Sequence, residues 1–396
     1  MNRKKIGYVA VLLLVVCSGV FLIYNKKTSR SNDPMSQQPV NTPEQKPKES
    51  NYTLLLAAGD FIAHDAINNA AKSGDSYDYR PFIDQMKPVM QKAGLRFCNQ
   101  STLVGGADFG VSGFPSFNAP LSFIDAMQDV GCNIVNTASN HSSDKSQAAI
   151  DANVIAWQQK NILAVAGQNA NAQQKQTVHY FTQDGIKYAF LAYTTYTNST
   201  PPTPYGVNMY SRDFASSQIA EAKSNGVQFI IASMRWGTEY SQGVNAYQKE
   251  EAQFLADNGV ALVLGHGPHV LEPVQWLTGV GGQKTLVWYS LGNFLHAQLE
   301  PETLFNGIAS IKIDKKTVTI TDIGFLPTYM HYDWTAQQAA AQDLLARRNF
   351  ELVTLEDAAP LVAKSQLMTT IAEQTSRLQS TLNTYTPVKL LTSKDL

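Results

Sequence analysis

The polar residues best suited to chemistry stand directly after apolar, strand-like segments of this sequence. They are Asp60, Asn99, Asn140, His141, Arg235, Glu239, His266, His269 and Asn293. In an α/β sheet the carboxyl ends of the strands lie at one edge, where ligands bind. We therefore expect these side chains to converge on one site.

The segment Gly265-His266-Gly267-Pro268-His269 is the best-defined of these motifs, because glycine and proline tighten the turn between two imidazoles. With a carboxylate and amides from other strand ends, these imidazoles suit a divalent transition metal. Such a metal binds phosphate or polarises a carbonyl group, and it generates hydroxide from water. The predicted cofactor is a divalent Mn, Zn or Fe ion, and the predicted ligands are Asp60, Asn99, His141, His266 and His269.

Each of these residues, taken alone, also has a structural explanation. Asp60 follows Gly59 and suits a turn or a helix cap, and Glu239 suits an exposed helix. His64 suits a capping or partly buried position, with a substitute metal ligand as the alternative. The full ordered set, placed after successive strands, is more specific than any single member.

The elements that must position these residues alternate between strands and helices, which predicts an α/β core. Strand-like runs occupy residues 52–57, 95–98, 133–137, 162–166, 229–233, 260–264 and 286–291. Helices are predicted at 81–94, 120–131 and 245–258, where proline, glycine and asparagine mark the ends. Two hairpins are predicted to turn at Asp184-Gly185 and near Lys315-Lys316.

The N-terminus carries an uncharged segment over residues 6–24, preceded by three basic residues. At ~1.5 Å per residue this segment nearly spans the ~30 Å hydrocarbon core of a bilayer. We expect an uncleaved single-pass anchor, with a cleaved signal peptide or lipidation at Cys17 as alternatives. Residues 25–51, which are polar and rich in proline, are predicted to be a flexible linker to an extracytoplasmic domain.

The charge balance bears on the partners of the protein, and the composition along the chain divides it into segments. Residues 51–396 carry 23 basic and 29 acidic side chains, and this acidic balance disfavours nucleic acid as a partner. The predicted segments are residues 1–24 as cytoplasmic tip and anchor, 25–51 as linker, 52–330 as the main α/β domain and 331–396 as a peripheral helical extension.

Cys98 and Cys132 are the cysteines of the main domain, and two cysteines do not make a disulfide framework. Cys98 ends one predicted strand and Cys132 begins the next. If those strands are parallel, the two residues lie near opposite ends and beyond the ~7 Å Cα separation that a disulfide allows. We expect both thiols to be free.

Six segments of the sequence resemble the successive signatures of the bacterial capsule-synthesis CapA family. They are GDFIAHD, FCNQST, TASNHSSD, SMRWGTEY, LGHGPHVLEPVQ and WYSLGNFL, within residues 54–328. The resemblance implies a four-layer α/β/β/α sandwich similar to calcineurin-like metallophosphatases, held on a membrane anchor outside the cell. It also implies a role in making, exporting or anchoring the anionic polymer poly-γ-glutamate.

Three positions depart from the family pattern, although Asp60, Asn99, Asn140, His141, His266 and His269 match it. Ser101 replaces an acid, while Arg235 and Gly267 each replace a histidine. Arg235 repels a cation and cannot coordinate it. The departures disfavour two-metal hydrolysis and favour either a single-metal site or a metal-free pocket in which Arg235 holds a carboxylate or phosphate.

Two functional hypotheses follow for a protein of capsule or poly-γ-glutamate-type polymer biosynthesis. In the first, it is a metal-dependent hydrolase or transferase acting on a phosphoester or γ-glutamyl amide, with catalytic Asn140, His141 and Glu239 and substrate-binding Arg235 and Asn293. In the second, it is a non-catalytic protein that binds an anionic polymer or synthase subunits through Arg235. The polar, proline-rich stretch over residues 193–213 is expected to overhang the same edge.

The anchor prediction has a direct test. Because no small-residue cleavage site follows residues 6–24, we expect the segment to remain in the mature protein. N-terminal sequencing of membrane-extracted protein should start at or next to Met1. A mature chain beginning at Cys17, or after Tyr24, would contradict the prediction.

Overall fold

Two β-sheets form the centre of the protein in a computed structural model that describes residues 50–396. The strands are β1 (Tyr52–Phe61), β2 (Lys72–Ser73), β3 (Ser76–Tyr77), β4 (Leu95–Gln100), β5 (Ile134–Asn136), β6 (Ala164–Ala166), β7 (His179–Gln183), β8 (Ile186–Thr194), β9 (Phe229–Arg235), β10 (Leu262–His266), β11 (Val274–Thr278), β12 (Lys284–Trp288), β13 (Asn293–Leu295), β14 (Phe305–Asp314), β15 (Ile320–Asp333), β16 (Arg348–Thr354) and β17 (Lys389–Leu390). The mixed α/β class is as predicted.

Helices connect and cover these strands. They are α1 (Asp65–Ala71), α2 (Lys87–Met90), α3 (Ser122–Val130), α4 (Gln147–Gln158), α5 (Ala172–Gln176), α6 (Arg212–Ser224), α7 (Ala246–Asp257), α8 (Pro301–Leu304), α9 (Ala336–Ala340), α10 (Ala359–Val362) and α11 (Ile371–Leu382). Between Ser50 and Leu396, none is both long and apolar enough to cross a membrane. The predicted anchor over residues 6–24 and nearly all of the predicted linker lie outside the described residues.

Both sheets have a parallel centre, which brings their strand ends to a common edge. The larger sheet runs in the order β16-β15-β14-β1-β4-β5-β6, with β13 beside β1 and β17 beside β15. The smaller sheet runs β11-β12-β10-β9-β8-β7. Strands β1, β4, β5 and β6 are mutually parallel, as are β8, β9, β10 and β12. The predicted chemical residues therefore share an edge within each sheet.

The two sheets pack face to face through large apolar side chains. Phe97 contacts Phe190 with ring centroids 6.1 Å apart, and Trp288 stacks on Phe325 at 5.9 Å. Because side chains alternate along a strand, Leu191 faces the opposite way from Phe190 and packs in a second core with Ile219 of α6 and residues of α7. Helices thus cover the outer face of the smaller sheet, while α1 and α11 contact strands of the larger one.

Both predicted hairpins are present. Strands β7 and β8 pair antiparallel around Asp184 and Gly185, which have φ values of 53° and 80°. Two successive positive φ values are the geometry of a type I′ turn, which matches the right-handed twist of the strands. The second hairpin joins β14 to β15 through the turn that contains Lys315 and Lys316.

Two helical predictions differ from the structure. The predicted helix at 81–94 is divided into two 3₁₀ turns and the four-residue α2, because Pro81 and Pro88 each stand at the start of a turn and lack the donor that continues a helix. The tail after Trp334 is also not only helical. Its strand β16 pairs antiparallel with β15. Phe350 and Leu352 are two residues apart on β16, so their side chains lie on the same face of the sheet, and both are buried.

The prediction of free cysteines is wrong, since Cys98 and Cys132 form a disulfide with a Cα separation of 5.7 Å. Cys98 pairs in register with Val135, as the parallel arrangement requires. Cys132, however, precedes the short strand β5 and lies in the turn after Gly131, whose φ is 120°. This turn folds Cys132 back toward β4. The direction of the strands therefore does not by itself determine the distance between Cys98 and Cys132.

The disulfide predicts a defined thiol count for the full chain, which has three cysteines. Titration after unfolding without reductant should find one thiol, from Cys17, and titration after reduction should find three. Closing a loop with a separation of 34 residues restricts the unfolded chain, which stabilises the protein by about 3–4 kcal/mol in the chain-entropy model. Reduction should lower the melting temperature accordingly, and three thiols before reduction would contradict the pairing.

Candidate functional site

A row of three buried polar residues ends the parallel strands of the larger sheet. Asp60, Asn99 and Asn136 are register partners on β1, β4 and β5. The amide Nδ2 of Asn99 donates to Oδ1 of Asp60 at 2.6 Å, and Nδ2 of Asn136 donates to Oδ1 of Asn99. The strand register therefore fixes the row, and each side chain orients the next.

The smaller sheet contributes a matching pair. Arg235 ends β9, and its register partner is His266, which ends β10. Nε2 of His266 lies 3.0 Å from both Nδ2 of Asn136 and Oγ of Ser233. Burial is the main reason that the pKa of His266 falls to about 3, so its ring is neutral at pH 7. Asn136 thus links the ends of the two sheets.

His269 closes the network from the loop after β10, with a φ of 63°. Its Nδ1 lies 2.8 Å from Oδ2 of Asp60 and 3.2 Å from Oδ1 of Asn293. Burial acts to raise the pKa of Asp60, but the hydrogen bond and charge of His269 outweigh it, with smaller help from His266 and Asn99. The pKa of Asp60 is therefore below its usual value, and the group is an ionised carboxylate at neutral pH.

Arg235 forms a second cluster beside this network, and its side chain is fully buried. Nε donates to Oδ1 of Asn140 at 3.2 Å, and Nη2 donates to Oε1 of Glu239 at 2.8 Å. The guanidinium carbon lies 4.2 Å from the centre of the Tyr196 ring, which is cation–π geometry. Nη1 of Arg235 and Nδ2 of Asn140 are buried donors without a hydrogen-bond partner among residues 50–396.

Gly267 leaves the space that this guanidinium occupies. A Cβ atom at position 267 would lie 3.1 Å from Nε and 3.2 Å from Cζ of Arg235, and 2.7 Å from the backbone oxygen of Trp236. The φ of Gly267 is also 113°, which disfavours any side chain. The arginine and the glycine that replace histidines of the family pattern are therefore sterically coupled.

His141 lies apart from both clusters and is held by a residue that the sequence analysis missed. Its Nδ1 lies 2.6 Å from Oδ2 of Asp144, which also accepts from the backbone N–H of Phe117. Nδ2 of Asn198 lies 3.2 Å from Nε2 of His141. This contact and that of Tyr196 agree with the expectation that residues 193–213 overhang the site edge.

A cleft of about 780 Å³ borders the site, and Arg235 is not among the residues that line it. Its walls include His141, Glu239 and His269, together with His64. Nδ1 of His64 accepts from the backbone N–H of Ala297, and burial lowers its pKa to about 3, so His64 contributes to structure on this wall.

The predicted residues converge, but in three groups. Asp60, Asn99, His266, His269 and Asn293 share one hydrogen-bond network; Asn140, Arg235 and Glu239 share a second; His141 pairs with Asp144. Asn136, Ser233, Asp144 and Asn198 were missed. The TASNHSSD segment contained the signal for Asp144, because an aspartate three residues after a histidine can reach its ring across a tight turn. The functional roles assigned to these residues remain predictions.

The described side chains do not assemble the predicted metal ligand set. Within residues 50–396, no group of three or more His, Cys, Asp and Glu side chains is placed to hold a metal ion. Both oxygens of Asp60 already accept hydrogen bonds, and Nε2 of His266 is directed at Asn136 and Ser233. The buried positive charge of Arg235 further disfavours a cation here. The described residues thus do not fit the predicted metal site, whereas the guanidinium of Arg235 suits an anion.

Comparison with known proteins gives a family match and two curated relatives. Residues 54–298 match the profile of the bacterial capsule synthesis protein family PGA_cap. The PGA biosynthesis protein CapA of Bacillus subtilis (strain 168) is 25% identical over 237 residues, which cover 57% of this chain and 60% of that protein. The capsule biosynthesis protein CapA of Bacillus anthracis is 23% identical over 207 residues, which cover 50% of this chain and 49% of that protein. The chain therefore spans about half to three fifths of these relatives.

The chain shares a lower sequence identity with solved structures than with these two relatives. The 5'-nucleotidase precursor of Thermus thermophilus has a TM-score of 0.45 and 12% identity, covering 79% of this chain and 59% of that chain. The NAD nucleotidase of Haemophilus influenzae has a TM-score of 0.44 and 12% identity, covering 83% and 61%. The calcineurin-like phosphoesterase YfkN of Bacillus subtilis has a TM-score of 0.42 and 12% identity, covering 70% and 90%.

The steric coupling of Gly267 to Arg235 predicts the effect of Gly267→Ala. The added Cβ should displace the guanidinium and strain the backbone, and we expect a loss of about 2–3 kcal/mol in the free energy of unfolding. Gly226→Ala is the matched control, since Gly226 has a φ of 69° but no atom near its Cβ position. Denaturant unfolding should show a distinctly larger loss for Gly267→Ala, whereas equal losses would show that backbone strain alone is responsible.

Proposed function

Because this chain belongs to the bacterial capsule synthesis protein family, we propose that it acts in biogenesis of an anionic cell-surface polymer of the poly-γ-glutamate type by binding that polymer through Arg235. A γ-linked glutamate polymer carries a free carboxylate on every unit. Arginine is the side chain best matched to carboxylate, because its planar fork donates two parallel hydrogen bonds. Synthase subunits are the alternative partner of the same surface.

The observation that carries this proposal is the buried guanidinium of Arg235 with an uncommitted donor. Burying a charge is costly unless hydrogen bonds and an opposite charge compensate it. Glu239 compensates the charge from one side, but Nη1 of Arg235 and Nδ2 of Asn140 still lack acceptors among the described residues. A carboxylate of the polymer supplies acceptors for both donors.

The His141–Asp144 pair favours a second candidate, a hydrolase or transferase acting on a γ-glutamyl amide or phosphoester. The amide of Asn198 donates toward Nε2 of His141, so Nδ1 carries the proton that is donated to Asp144. Nε2 is then a proton acceptor on the wall of the cleft, which is what a general base requires. In this candidate Arg235 and Asn293 bind substrate, and Asn140, His141 and Glu239 act on it.

The disulfide supports a location outside the cytoplasm. Disulfides persist in oxidising compartments and are rare in the reducing cytosol. Cys98 and Cys132 are both fully buried and bonded to each other. We propose that residues 6–24 anchor the chain in the cell membrane and that the domain from Ser50 onward faces outward, where a surface polymer is accessible.

Calorimetric titration of the purified full chain with a γ-linked glutamate pentamer tests the binding proposal. We expect saturable binding that EDTA leaves unchanged and that Arg235→Gln reduces at least tenfold, because the fixed positive charge is lost. Arg80→Gln is the matched control, since Arg80 is an exposed arginine paired with Asp78 on the surface.

Other outcomes discriminate between the candidates. Pentamer binding that EDTA abolishes and Mn²⁺ restores would contradict the metal-free site. Cleavage of the pentamer that His141→Ala abolishes would favour the hydrolase. Absence of pentamer binding to the wild-type chain, with or without Mn²⁺, would contradict polymer binding in either form.

A further inference from the structure

The acceptor that neutralises Arg235 is a carboxylate from its own chain. Oε1 of Glu239 accepts from Nη2 of Arg235 at 2.8 Å and lies 3.4 Å from the hydroxyl of Tyr196. The Arg235 side chain is 0% exposed, whereas the Glu239 side chain is 39% exposed and borders the 780 Å³ cleft. Glu239 therefore stands between the buried guanidinium and the space open to ligands.

We propose that Arg235 forms a carboxylate subsite that Glu239 fills in the ligand-free protein and vacates when a ligand carboxylate binds. The inference rests on the proposed function and adds to it both the chemical group recognised and the residue that competes for it. Glu239 is then an internal ligand that sets the affinity of the subsite.

The hydrogen bonds favour such an exchange. Glu239 engages one terminal nitrogen of the guanidinium, and Nη1 is left without an acceptor among residues 50–396. An untethered carboxylate is free to bind both terminal nitrogens in the bidentate fork geometry. The exchange thus gains a charge-assisted hydrogen bond at a fully buried donor, where an unmet donor is costly.

Charge balance selects a carboxylate over a phosphate. A ligand carboxylate adds a single negative charge near Arg235, where the displaced Glu239 remains tethered to the chain. A phosphate monoester carries a charge of about −1.5 to −2 at neutral pH, and the carboxylate of Glu239 would remain close to it. The larger excess of negative charge beside Glu239 disfavours this ligand.

The exchange needs only side-chain motion. Glu239 is bonded to Arg235 at its tip, and rotation about its side-chain bonds carries the carboxylate into the cleft that it already borders. Arg235 stays fixed, because Asn140 holds Nε, the Tyr196 ring covers one face and Gly267 leaves room for the group. The subsite is therefore preorganised, and ligand binding costs the displacement of one half-exposed side chain.

Glu239→Gln tests the inference in the full chain by titration with the γ-linked glutamate pentamer. Removing the charge of the internal competitor should tighten pentamer binding about tenfold, equivalent to about 1.4 kcal/mol. Glu300→Gln is the matched control. Glu300 borders the same cleft but does not contact Arg235, and the substitution removes the same charge. This control should change affinity less than twofold, since exposed charges are screened.

A double variant separates competition from general electrostatics. In an Arg235→Gln background, Glu239→Gln should give no gain, because the subsite for which Glu239 competes is absent. Inorganic phosphate should bind Glu239→Gln more weakly than the pentamer does, and equal or tighter binding of phosphate would overturn the carboxylate assignment.

The outcomes distinguish the two proposals. Pentamer binding to the wild type that weakens in Glu239→Gln would overturn the exchange while leaving polymer binding intact, because Glu239 would then position Arg235. Pentamer binding to the wild type that tightens in Glu239→Gln would support the exchange. Absence of binding in both proteins would overturn both proposals.

Discussion

The site depends on one constraint, a guanidinium group that is buried where the parallel strands of the two sheets end. Arg235 cannot lose its proton, so its charge must be met by hydrogen bonds, an opposite charge and an aromatic face. Asn140, Glu239 and Tyr196 provide these from three different loops. These contacts consequently hold the three loops in place relative to one another.

A second buried charge is compensated by different means on the neighbouring sheet. The ionised Asp60 accepts hydrogen bonds from Asn99 and from His269, and Asn136 continues the chain of contacts to His266. Each sheet thus carries one charged group of opposite sign at its carboxyl edge.

The position of the site is a property of the fold, whereas its chemistry depends on the individual side chains. The strands place side chains at the same edge whatever those side chains are, because the edge is a property of the sheet topology. At this edge Arg235 places a buried guanidinium, and Gly267 leaves the room that the guanidinium needs. Fold and site are therefore separable, and the chemistry follows from the residues at the edge.

The sequence by itself determined the alternation of strands and helices, the hairpin at Asp184-Gly185 and the position of the polar residues at the strand ends, because turn chemistry and apolar periodicity are local properties. Tertiary structure decided the bond between Cys98 and Cys132, which depends on how one turn folds back over β4. It also decided that Gly267 accommodates Arg235, and that the tail adds β16 to a sheet. These are contacts between segments far apart in the chain, and their geometry is fixed only when the two sheets pack.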